Sequence, residues 1–152
     1  MKGFLIVLNF ILVSSLVTAQ NIYQPTPNSQ ERKQHLVAMH TLYDTMYYNQ
    51  SVVFVIDKTN YKSNGKWAFI EFKTQQKNGK APNFKNSAYK EDYETGIMDD
   101  NSYVLLKKVN NKWRVISNVD FPTDVPFGCW WKKYKAPKEI FFYTDGNCDV
   151  EY

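Results

Sequence analysis

The apolar positions of this chain change from helical to alternating spacing near residue 50, which predicts a helix followed by strands. The apolar residues of one helix face lie three and four apart: Leu36, Met39, Tyr43, Met46 and Tyr47. Asn28 or Ser29 can cap this helix, and Glu31 lies three residues after Asn28, where a capping box prefers it. We therefore expect a helix over about residues 29–48.

Four later segments are rich in β-branched and aromatic residues, which predicts strands that pair as two hairpins. The segments are residues 52–61, 66–75, 103–109 and 112–120. Asn64-Gly65 and Asn110-Asn111 lie between the paired segments, and both pairs favour tight turns because asparagine and glycine tolerate a positive φ.

Alternation along the fourth strand predicts which of its side chains face the core. One side has apolar residues and the other has polar residues: Trp113, Val115 and Val119 against Arg114, Asn118 and Asp120. Alternation in the second strand is less clear, so both faces of the sheet should be covered, or one face should line a cavity. Between the hairpins, Tyr89 and Tyr93 predict a short helix that ends at Gly96.

A helix followed by antiparallel hairpins, without alternating βαβ units, predicts an α+β domain. We expect a long N-terminal helix packed on a curved antiparallel sheet. After residue 120 the regular pattern ends, and short turns are expected around Pro126 and after Pro137.

This order of elements resembles the cystatin-like roll shared by the nuclear-transport-factor-2-like superfamily. Local motifs resemble a narrower group, the small exported bacterial proteins without an assigned activity. The motifs are W-A-F-I-E at residues 67–71, K-W-R-V at residues 112–115 and T-D-V at residues 123–125. The likeness to this narrower group spans about residues 52–141, and it implies no chemistry.

Residues 1–19 have the charged, apolar and small-residue order of a secretory signal peptide, with Ala19 before the expected cut. The apolar run is shorter than the roughly 20 residues of a spanning helix, which favours a cleaved leader over a membrane anchor. We therefore expect a secreted or periplasmic protein with no membrane span after cleavage. Residues 20–27 predict a flexible arm, and residues 28–152 predict a single α+β domain.

Charge and aromatic content restrict the classes of function. The chain carries 19 Lys+Arg and 15 Asp+Glu, mixed along its length, so a solvated surface explains the charge and nucleic-acid binding has no support. Aromatic residues make up 16% of the chain, enough to build a core and also to supply a binding surface.

The chain has two cysteines, Cys129 and Cys148. In an exported protein such a pair predicts a disulfide, and two buried thiols are the alternative. No further ligands lie at a recognisable spacing, so we expect no metal site. The sequence indicates no cofactor.

His40 and Asp44 lie four residues apart on one helix face, as a general base and its orienting carboxylate would. The superfamily resemblance points the same way, since some members use histidine and aspartate inside the cone. The alternative is a hydrogen-bonded histidine packed beside the apolar stripe. His35 lies off the face of His40 and is expected to be exposed.

Trp130, Trp131 and Tyr134 form the candidate binding surface, together with the intervening Lys132-Lys133. Adjacent residues do not easily both point inward, so one tryptophan can remain exposed to stack on a sugar ring or a partner protein. In the alternative, both rings close the open end of the sheet beneath the lysine stems.

Three polar motifs have simpler explanations than ligand binding. Asp99-Asp100-Asn101 resembles the start of a cation loop but lacks its continuation, so we expect a turn. Asp120 and Asp124 could converge and raise one pKa, although capping of a turn by Asp124 is simpler. Asn49-Gln50-Ser51 matches a glycosylation acceptor, whose use depends on the secretory pathway.

Two functions from different classes fit these observations. The first is an exported non-catalytic binding protein that holds a small ligand or an envelope or secreted protein, in an aromatic-lined cavity or at Trp130-Trp131. The second is a small cavity enzyme of the isomerase or hydrolase type that uses His40 and Asp44. A structural envelope protein without a ligand is a third interpretation.

Overall fold

The computed structural model describes residues 21–148, so the predicted signal peptide at residues 1–19 lies outside the described residues. The elements in chain order are α1 (Gln30–Met46), β1 (Val52–Ser63), β2 (Trp67–Gln76), α2 (Lys90–Thr95), β3 (Ser102–Val109), β4 (Lys112–Asp120) and α3 (Trp130–Lys133). Single 3₁₀ turns lie at Phe84–Asn86 and Lys138–Ile140. None of the described helices is both long and apolar enough to cross a membrane.

The four strands form one antiparallel sheet in the order β1-β2-β3-β4. The predicted α+β class and the two antiparallel hairpins are therefore confirmed. Within the described chain, β1 and β4 lie at the two edges of the sheet. Tyr23, in the predicted arm, forms an isolated bridge with Ser63 at the end of β1.

The two hairpin turns differ from each other. Asn110 and Asn111 both have positive φ, 49° and 60°, which is the two-residue turn that the sequence predicts. The other hairpin lies at the predicted place, but three residues, 64–66, connect its strands. The Asn64 side-chain oxygen accepts hydrogen bonds from the N–H groups of Lys66 and Trp67, so a side chain closes this turn.

Both faces of the sheet are covered. On one face, α1 and the segment around α2 pack against residues that include Ile70 and Leu106. On the other face, the C-terminal segment packs against Phe69 and Leu105. Phe69 and Ile70 are neighbours in β2 that point to opposite faces, and both are fully buried. This double burial explains the unclear alternation of β2.

A bulge in β4 reverses the predicted direction of its last side chains. Ile116 is an extra residue without a partner on β3. Trp113 packs towards α1, but Val119 packs in the core on the opposite face of the sheet and Asp120 faces α1. One extra residue shifts the two-residue period by one, so every later side chain changes face. The prediction that Asp120 lies opposite Trp113 is therefore wrong.

Candidate functional site

An open groove of about 550 Å³ lies between α1 and β4. Ala38, Thr41 and Leu42 line it from α1, and the seven consecutive residues 112–118 line it from β4. Successive side chains of a strand point to opposite faces, so seven consecutive lining residues place the groove along the backbone edge of β4. Since β4 is an edge strand, the groove gives access to this edge.

The groove has an apolar side and a cationic rim. Trp113 is buried at the sheet and, together with Leu42 and Val115, gives the groove apolar surface on the α1 side. Lys112 and Arg114 are exposed, and they are the only charged side chains among the described residues that line the groove. The arrangement can therefore bind apolar groups and anions side by side.

Near Asn118, the groove adjoins a partly buried carboxylate. One oxygen of Asp120 accepts a hydrogen bond from the Tyr43 hydroxyl at 2.7 Å. The other accepts from the Tyr89 hydroxyl at 2.9 Å and from the Asn118 amide at 2.7 Å. Burial raises the pKa of Asp120, and the hydrogen bonds oppose this increase. The cluster joins α1, the residue before α2 and the end of β4.

Sequence reasoning missed this cluster because it placed Asp120 on the opposite face of β4. The pair Val115-Ile116 breaks the alternation with two adjacent apolar residues. This break was the sequence signal of the bulge. Asp124 is exposed and precedes the turn at residues 126–129, and Cys129 is the N-cap of α3.

His35 is fully buried, so the prediction that it is exposed is wrong. The buried stripe of α1 contains His35, Met39 and Tyr43, which lie four residues apart. His35 Nδ1 shares a hydrogen bond with the Tyr61 hydroxyl, and its ring lies edge-on to Trp113 with centroids 4.0 Å apart. Burial lowers the pKa of His35 to about 4.

Glu31 binds side chains rather than completing the predicted capping box. Ser29 is the N-cap of α1, and its hydroxyl accepts from the N–H of Arg32 at 3.2 Å. Glu31 accepts from the Tyr23 hydroxyl at 2.6 Å and from the Ser63 hydroxyl at 2.5 Å. These bonds attach the N-terminal segment and the end of β1 to the first turn of α1.

His40 and Asp44 are joined by a hydrogen bond of 2.9 Å between Nδ1 and Oδ1. Their side chains are 40% and 51% exposed, and the His40 ring packs on Phe54 at a centroid distance of 4.7 Å. Neither residue lines the groove beside β4. The His40 ring therefore contacts β1, and the pair lies outside the groove.

The structure gives Trp130 and Trp131 different environments. Trp130 is 7% exposed and packs with Phe69 and other rings of the core on the face of the sheet away from α1. Trp131 is partly buried, with the Lys138 ammonium 4.9 Å from its ring centroid. The Tyr134 hydroxyl donates to Ser117 Oγ at 3.0 Å. This region covers the sheet and leaves part of Trp131 exposed.

Cys129 and Cys148 form a disulfide, with their Cα atoms 5.3 Å apart. The bond attaches residue 148 to the start of α3. The N–H of Asp145 also donates to the carbonyl of Gly128 at 2.9 Å, so a hydrogen bond supports the same attachment. The predicted pairing is confirmed.

The other polar motifs lie in turns. Asp100 forms an exposed ion pair of 3.0 Å with Lys73, and the Asp99 side chain accepts from the N–H of Asp100. Asn49 is exposed after α1. Within residues 21–148, no group of three or more His, Cys, Asp or Glu side chains is arranged to hold a metal ion.

Comparison of this chain with protein-family models, with curated proteins and with solved structures finds no match.

Proposed function

We propose that this chain is an exported, non-catalytic binding protein whose ligand site is the groove between α1 and β4. The observation that carries this proposal is the position of the groove along an open strand edge, with apolar surface beside two cations. The signal-peptide pattern and the Cys129–Cys148 disulfide support an oxidising compartment outside the cytoplasm.

The groove favours binding over catalysis. A general acid or base must lie within hydrogen-bond reach of the substrate. Among the described lining residues, there is no histidine or carboxylate. His40 and Asp44 lie outside the groove, and the Asp120 oxygens already accept three hydrogen bonds. The groove therefore offers contacts to a ligand but no histidine or carboxylate to transfer a proton.

The groove also suits binding better than the surface around Trp130 and Trp131. Trp130 packs in the core, so its ring cannot stack on a ligand without unfolding this region. Lys138 lies over the Trp131 ring. In the β4 groove Trp113 is buried to the same extent, but Leu42 and Val115 are partly exposed and supply apolar surface that a ligand can reach.

A matched pair of helix variants tests the proposal. Thr41 and Thr45 are both exposed on α1, but only Thr41 lines the groove. Ligands would be identified by ¹⁵N-amide shifts during titration with cell-envelope sugars, lipid headgroups and short peptides. We expect shifts concentrated at residues 112–118, loss of binding in Thr41→Trp and unchanged binding in Thr45→Trp. Absence of any ligand, or shifts concentrated at residues 130–134, would contradict the proposal.

A further inference from the structure

Among residues 21–148, no strand pairs with the outer edge of β4. In the described chain, β4 is paired with β3 alone. No backbone hydrogen bond from a turn or loop of residues 21–148 reaches positions 112–118. An antiparallel strand bonded on one side has N–H and C=O groups that point outward on the other side. These groups line the groove as donors and acceptors, and the bulge at Ile116 interrupts their regular spacing.

Resting on the proposed function, we infer that the groove binds an extended acidic peptide segment, which adds to the sheet as a strand beside β4. Addition of a strand to a sheet edge is a general mode of peptide recognition. Seven strand residues extend over about 23 Å, which matches a segment of about six or seven residues. Ala38 and Thr41 on the facing helix are small, which leaves room between helix and strand.

The two faces of β4 specify the side chains of the segment. In an added strand, alternate side chains lie beside alternate faces of the sheet. On one face they would meet Trp113, Val115 and Leu42, which are apolar. On the other they would meet the cationic Lys112 and Arg114. The best segment therefore alternates apolar and acidic residues. One of its carboxylates should accept two hydrogen bonds from the Arg114 guanidinium.

A second copy of this chain fits the edge less well. Two copies paired through β4 would bring Lys112 and Arg114 of both copies into one small interface. The lining residues contain no carboxylate to balance them. An acidic segment avoids this repulsion, because its carboxylates face the two cations.

Titration with defined peptides tests this inference. The probe is a capped six-residue peptide of alternating glutamate and valine. Its binding is monitored by the ¹⁵N-amide chemical shifts of the oxidised protein. We expect shifts at residues 112–118 and saturable binding. Arg114→Glu should raise the Kd by at least about tenfold, because the attraction between Arg114 and a peptide carboxylate becomes a repulsion. Lys85→Glu reverses an exposed lysine outside the groove and should leave the Kd unchanged.

Two control peptides separate charge from strand pairing. Replacement of each glutamate by lysine should abolish binding, and equal binding would refute the role of charge. N-methylation of alternate backbone nitrogens removes strand donors while keeping the side chains, and unchanged binding would refute strand addition. Sedimentation that shows a dimer, with ¹⁵N-amide shifts on dilution concentrated at residues 112–118, would assign the edge to a second copy and overturn the inference.

The outcome also separates this inference from the proposed function. If the acidic peptide leaves the amide chemical shifts of residues 112–118 unchanged while another ligand changes them, the peptide inference fails and the proposed binding site stands. If no ligand of any class shifts these residues, both fail.

Discussion

Acid should weaken this fold through His35, and replacing His35 by asparagine should remove that part of the acid sensitivity. His35 is fully buried, and its pKa is lowered from 6.5 to about 4 by burial. Between these values the unfolded chain binds a proton on His35 that the folded chain does not bind. The stabilisation from neutral His35 is therefore complete above pH 6.5 and is lost as the pH falls through about 4.

The size of the effect follows from the pKa difference. One pKa unit corresponds to about 1.4 kcal/mol, so the full loss at low pH is about 3 kcal/mol. Between pH 7.5 and pH 5 the expected loss is about 2 kcal/mol, since His35 in the folded protein is still mostly neutral at pH 5. An asparagine can still hydrogen-bond with the Tyr61 hydroxyl but does not titrate.

Urea unfolding of the oxidised protein at pH 7.5 and pH 5 measures this loss. The matched control is His40→Asn, because His40 is the other histidine of α1 and its side chain is 40% exposed. His40→Asn should lose more free energy of unfolding on acidification than His35→Asn, because it keeps His35. His35→Asn should lose about 2 kcal/mol less than wild type. Asp120, whose raised pKa acts in the opposite direction, is present in all three proteins and cancels from the comparison. Equal losses in wild type and His35→Asn would refute the reasoning.

Three further predictions concern the stability of the fold. Asp120→Ala leaves three donors without their acceptor and should lower the free energy of unfolding by about 3 kcal/mol. Asp124→Ala, on the exposed surface, should change it by less than about 0.5 kcal/mol. Equal effects of the two variants in chemical denaturation would contradict the role of the cluster. Replacing Cys129 and Cys148 by serine should cost about 3 kcal/mol, and dithiothreitol should destabilise wild type by a similar amount while leaving the double variant unchanged. Phe69→Ala should cost about 4 kcal/mol in the same assay, because Phe69 is fully buried, and a cost below about 1 kcal/mol would show that the C-terminal segment does not pack on the sheet.

Local patterns were enough to predict the main elements of this fold. The spacing of Met39, Tyr43 and Met46 predicts a helix because three and four residues complete one turn. Asn110-Asn111 predicts its hairpin because the turn requires positive φ at two successive residues. Such features depend only on residues near each other in the chain.

The features that the sequence did not predict depend on contacts between distant segments. His35 is buried because the stripe of α1 meets Trp113 and Tyr61 on the sheet, and no local pattern places a histidine there. Asp120 changes face because the bulge at Ile116 depends on pairing with β3. The groove itself depends on which strand lies at the edge, which is a property of the whole sheet.

The bridge between Tyr23 and Ser63 has a consequence for how the protein can be tethered. It holds the N-terminal segment beside β1, the edge opposite to β4. Three strand spacings of about 4.8 Å separate the two edge strands, or about 14 Å across the sheet. The disulfide holds residue 148 beside α3, on the face away from α1. A label attached at residue 21 therefore lies at the opposite edge of the sheet from the groove, whereas one attached at residue 148 lies on the face opposite to α1.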